Sequence, residues 1–157
     1  MIHPILAVFA VGARDDSLDS SASIDGSARI WLYPADGTAP LSQMIPAVHS
    51  TLLSNHVRGV AAGLQQDAGF RTNAGIVNLS TDMHQFTIQI NGERGSGQLT
   101  IAVPPFSLVQ VPIAPADYGN VDLVVFADAS TRWCFYGSTI NNSTHEAHTT
   151  VGVPGDN

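Results

Sequence analysis

The run HEAH brings His145, Glu146 and His148 together, the densest concentration of metal-ligating side chains in the chain. Imidazole nitrogens and a carboxylate are a common donor set for zinc. Spacing decides whether they can share one ion. On a strand, His145 and His148 would point to opposite faces, because side chains alternate with period two. On a helix, residues three apart share a face, but the surrounding NNSTHEAHTT has no helical pattern. Only a tight loop would gather them, with His84 or Asp82 completing the set, since zinc takes three or four ligands. The sequence therefore favours polar loop histidines, with His145, His148 and Glu146 as the metal candidates. His49 and His56 fall in the irregular stretch 46–64 and read as surface residues.

Other chemistries find less support. No G-x-S-x-G elbow is present, and the glycines of NGERGSGQ are not followed by the Gly-Lys-Ser/Thr of a phosphate loop. Cys134, the single cysteine, cannot form an intrachain disulfide. Its aromatic setting, RWCFYG, predicts a buried, inert thiol. Asp15, Asp16 and Asp19 cluster in RDDSLDSSASIDGS, an exposed polar loop whose spacing does not match a calcium-binding EF-hand. Formal glycosylation sequons stand at Asn78, Asn141 and Asn142. No catalytic residue and no cofactor is expected.

Two sets of side chains suit ligand binding. Arg71, in GFRTNAGIVNLS, offers a planar five-donor fork able to tie backbone carbonyls, a carboxylate such as Asp67, or a ligand. Trp31, Tyr33, Trp133 and Tyr136 are aromatics able to stack on a sugar if they are exposed. For residues 69–80 a structural role is the first expectation. Asn73 and Asn78 would bond neighbouring backbone at the strand ends, and one of Ile76 and Val77 would enter the core.

The elements that position these groups read as strands. QFTIQI places Phe86, Ile88 and Ile90 on one face and Gln85, Thr87 and Gln89 on the other. QLTIAV repeats the pattern after the Gly-rich turn NGERGSG. ILAVFAVGA, ARIWLYP, AGIVNLS, SLVQVPI, VDLVVFA and RWCFYGSTI supply further candidates, with prolines 104 and 105 ending one strand. About eight strands at this spacing predict an all-β antiparallel sandwich, immunoglobulin-like or jelly-roll-like. PAVHSTLLSNHVRGVAAGL, residues 46–64, has ragged apolar spacing and is expected to be loop with one helical turn around Ser50–Asn55.

At 157 residues the chain is the size of one domain, with 44% hydrophobic and 12% charged residues. Within it, residues 1–41 read as N-terminal strands and an acidic loop, and 42–157 as the main module. Six arginines and no lysine stand against eleven aspartates and two glutamates, for a net charge of -7. That balance disfavours nucleic acid and anionic membrane surfaces. The apolar N-terminal run lacks a preceding basic residue and is short for a signal peptide, so it reads as a strand. No stretch reaches the ~20 apolar residues of a membrane-spanning helix.

GLQQDAGFRTNAGIVNLS resembles the start of a β-sandwich module found in bacterial secreted and surface proteins. Phe70-Arg71-Thr72-Asn73, Gly75, Val77 and Asn78 carry the likeness. SQMIPAV (42–48) and VPPFSLVQV (103–111) resemble its flanking and middle segments. YGSTINNSTHEAHTTVGV resembles its last strands, without the usual Asp and Pro near Asn141, Asn142 and Thr144. The resemblance implies an immunoglobulin-like fold in an extracellular or envelope setting, and no catalytic residues. The functional expectation is a non-enzymatic structural or assembly module, pairing strands with neighbouring subunits through residues 5–13. The alternative is a carbohydrate- or protein-binding sandwich that uses its end loops.

Overall fold

The structure is a computed structural model that describes residues 27–32, 41–46 and 57–155, the first two ranges by backbone alone. The expected strand at residues 5–13, the acidic loop, the helical turn around Ser50–Asn55 and Tyr33 lie outside the described residues.

Antiparallel ladders organise all that is described. β1 (Ser27–Leu32) pairs with β2 (Leu41–Pro46). The division drawn after residue 41 thus falls within β2. Nine further strands follow: β3 (Arg58–Gln66), β4 (Phe70–Asn78), β5 (His84–Gly92), β6 (Gly95–Val103), β7 (Ser107–Pro112), β8 (Gly119–Phe126), β9 (Trp133–Asn141), β10 (Ala147–Val151) and β11 (Val153–Pro154). They form a four-stranded sheet in the order β10-β9-β4-β7 and a five-stranded sheet in the order β11-β3-β8-β5-β6. The two sheets pack face to face as an all-β sandwich, as the alternating patterns require.

The core lies between them. Phe86, Ile88 and Ile90 are buried as their alternation demands, opposite Ala74, Ile76, Trp133 and Phe135. Trp133 packs between Phe86 and Phe135, with ring centroids 5.5 and 5.7 Å away. Ile76, not Val77, is the fully buried member of its pair. Asn78 is buried and acts on both sides of its strand end. Its Oδ1 accepts from Ser80 N, while its Nδ2 donates to the carbonyls of Asp82, Val103 and Pro104. One amide therefore ties the β4–β5 turn to the β6–β7 turn.

Two segments differ from the sequence reading. Residues 58–64, expected to be loop, belong to β3. The reason is a bulge: the register with β8 shifts between Ala61 and Leu64, where Gly63 adopts φ +75° and donates its N–H to Asp122 Oδ1. The buried positions are therefore Gly59, Ala61, Leu64 and Gln66, an alternation that slips by one at the bulge and looks irregular in one dimension. His148, read as a loop histidine, stands instead on β10, a short strand that is at most half-buried.

Candidate functional sites

Three turns meet at one end of the sandwich. The first, Asp67–Phe70, carries the chain from β3 in one sheet to β4 in the other. Asp67 holds it: Oδ1 accepts from Gly69 N at 2.8 Å and Phe70 N at 3.0 Å, and Oδ2 accepts from Gln65 Nε2 at 2.7 Å. The Gln65 amide, then the two backbone N–H groups, keep the Asp67 carboxyl below its ordinary range. It is an anion committed to the turn.

Arg71 follows at the start of β4. Its Nη1 donates to Asn142 Oδ1 at 2.8 Å, not to Asp67. Asn142, in the β9–β10 turn, donates its Nδ2 to Ala68 O and its backbone N–H to Gly69 O. The third element is the β7–β8 loop, where exposed Asp117 pairs with Arg94 of the β5–β6 turn. Between the turns lies an open groove of about 330 Å³, bordered by Gln66, Phe70, Arg71, Pro115, Asp117 and Asn142 among others.

A second surface runs along one side. Within the described sandwich the edges are β10 and β7 in one sheet, β11 and β6 in the other. Leu99 and Ile101 of β6, with Val109 and Val111 of β7, pack against the core but are only partly buried. Met83, Phe106 and Leu108 stand at the same corner, 63%, 70% and 49% exposed. Phe106 sits at φ +48°, and Asn78 ties its turn to the one preceding Met83. Exposed apolar side chains gathered at one corner mark an interaction surface more often than singly scattered ones do.

The remaining candidates separate. Trp133 is fully buried and Tyr136 nearly so, at 3% exposure. Neither offers a ring face to a sugar, which corrects their reading as stacking residues. The cause is visible in β9, which is buried on both faces from Trp133 to Ser138. Tyr136 lies over Gly75, where a Cβ would come within 2.2 Å of its ring, and its O–H donates to Gln110 Oε1 at 2.7 Å. Burial pushes its phenol up to about 12 and the Cys134 thiol up to about 11. Trp31 belongs to β1, whose side chains lie outside the description.

His145 and Glu146 are exposed in the β9–β10 turn and His148 is exposed on β10. Neither His84 nor Asp82 joins them. His84 Nδ1 instead lies 3.1 Å from Thr131 Oγ1, and among the described residues no group of three or more His, Cys, Asp or Glu converges. Sequence reasoning missed Gln66 and the β7–β8 loop as groove walls. Gln66 is hidden by the bulge in β3, and no local pattern brings residues 115–117 to Arg71.

No protein-family model and no curated protein matches the chain. A solved structure, described as the crystal structure of Thermotoga maritima 1070, is similar in fold, with a TM-score of 0.52. At 10% identity it covers 64% of this chain and 97% of its own, which supports the fold alone. No helix among the described residues is long and apolar enough to cross a membrane.

Proposed function

We propose that the chain is a non-enzymatic assembly module of an extracellular or envelope-associated protein, in which residues 5–13 of one subunit add as a strand along β6 of a neighbour. The observation that carries this reading is the β6 edge. Natural sheets blunt their edges with charge, proline, shortness or cover, because unpaired N–H and C=O groups recruit foreign strands. β7 ends in Pro112, β11 has two residues including Pro154, and β10 runs beside β2. β6 extends nine residues, GSGQLTIAV, with neither charge nor proline.

The apolar positions agree with this. A strand laid along β6 would cover the half-exposed flanks of Leu99 and Ile101 and approach Phe106. ILAVFAVGA is a nine-residue apolar match in length and character. The extracellular setting rests on the sparse charge and on the resemblance of residues 64–78 to bacterial surface modules.

The test is molar mass by light scattering, over a range of concentrations, for the intact chain and for one lacking residues 1–13. An oligomer lost on truncation is expected. The same mass in both would overturn strand addition by this segment.

A further inference from the structure

We infer that the end groove bordered by Gln66, Arg71 and Asp117 is a binding site for a single neutral pyranose residue of a glycan. This goes beyond assembly: the groove uses other turns than the β6 edge and stands or falls separately.

Gln66 is only 6% exposed, an unusual position for a primary amide. Its Oε1 accepts from Thr72 N at 2.7 Å, which fixes the amide orientation and leaves both Nε2 hydrogens pointing the other way. Among the described residues Nε2 has no acceptor. It is not one of the fully buried atoms lacking a partner, so it retains contact with solvent, and Gln66 lines the groove. A nearly buried donor left without a protein acceptor costs stability unless water or a ligand takes the bond.

Arg71 adds further donors. Its Nη1 is committed to Asn142, and no other acceptor engages the guanidinium among the described residues. Asn142 is itself anchored to Ala68 O, so the arginine is held at the rim by a fixed turn. The groove thus presents spare N–H donors beside one spare acceptor, Asp117 Oδ2, whose other oxygen takes the bond from Arg94. Phe70 and Pro115 give it an apolar wall.

This donor-plus-acceptor pattern against an apolar wall matches sugar hydroxyls flanking a C–H face. A volume of about 330 Å³ suits one ring, at the low end of the ~300–1,000 Å³ typical of small-molecule sites. Neutrality follows from the charges. Asp67 and Asp117 border the same space as Arg71, and the protein carries -7 overall, so an anion gains little there.

The test is titration of the ¹⁵N-labelled full chain with glucose, galactose, mannose, N-acetylglucosamine and glucuronate, followed by amide shifts. At least one neutral sugar is expected to give saturable shifts confined to the Gln66 side-chain amide and the backbone amides of residues 67–71, 116, 117 and 142. Arg71→Ala, at an exposed position, should weaken binding by about tenfold or more. Gln66→Glu keeps an oxygen for Thr72 N–H, removes the amide donors, and should do the same. Saturation by no neutral sugar, by glucuronate alone, or with shifts elsewhere overturns the inference. So does binding that neither substitution weakens in a variant whose remaining spectrum is unchanged.

Discussion

The two sides of the sandwich are closed in different ways. On one, the chain runs from β10 in the four-stranded sheet through Gly152 directly into β11 in the five-stranded sheet. Each strand is paired, to β9 and to β3. Gly152 N donates to Phe135 O at 2.9 Å, and a Cβ at residue 152 would meet the Phe135 ring at 2.0 Å. That side is stitched through both sheets. On the other, β6 and β7 also belong to different sheets, but a turn joins them at one end only, and Leu99, Ile101, Val109 and Val111 stay only partly buried. A partner can act on the open side, because a strand can be added only where the chain has not already supplied one.

Substitutions that probe packing should separate the two sides. Leu64 is fully buried and fills the space over Gly137, where a Cβ would lie 2.3 Å from its Cδ1. Leu64→Ala is expected to cost about 2–5 kcal/mol in urea unfolding. Leu99→Ala, on the open side, should cost about 1 kcal/mol in the dispersed subunit, because its side chain is already partly in water. Equal costs would mean that the two sides are packed alike. Gly152→Ala forces Phe135 to move and should cost about 1–3 kcal/mol, read as a lower melting temperature with β6 amides unperturbed.

The smallest effect is alkaline. Cys134 and Tyr136 sit on β9, and the Tyr136 hydroxyl reaches across β4 to Gln110 on β7, linking the closed half of that sheet to its open edge. Burial raises the thiol from 9.0 to about 11 and the phenol from 10.0 to about 12. Between pH 9 and 11 the unfolded chain has released a thiol proton that the folded chain still holds. Stability is therefore complete below pH 9 and falls as pH rises, by roughly 1 kcal/mol at pH 10 from the thiol. Urea midpoints taken from pH 8 to 10.5 check the sign.

Much of this was legible in the sequence. Strict alternation in QFTIQI and QLTIAV fixes both strands and their wet faces, and an inert Cys134 follows from its aromatic neighbours. What escaped has physical causes. The bulge at Gly63 breaks the period that would have revealed β3, and with it Gln66. β9 is buried on both faces, so Trp133 and Tyr136, which read as stacking platforms, are interior. Arg71 was singled out on its chemistry, but its partner Asn142 lies 71 residues away and only the fold pairs them.

The most direct test of strand addition is amide hydrogen exchange along β6, residue by residue, in the intact chain and in the chain lacking residues 1–13. Half of the β6 amides bond to β5, and the other half point away from it. With strand addition, the outward amides are protected in the assembled intact chain and exchange freely after truncation, while those facing β5 stay protected in both. Outward amides that exchange equally fast in both chains would contradict it.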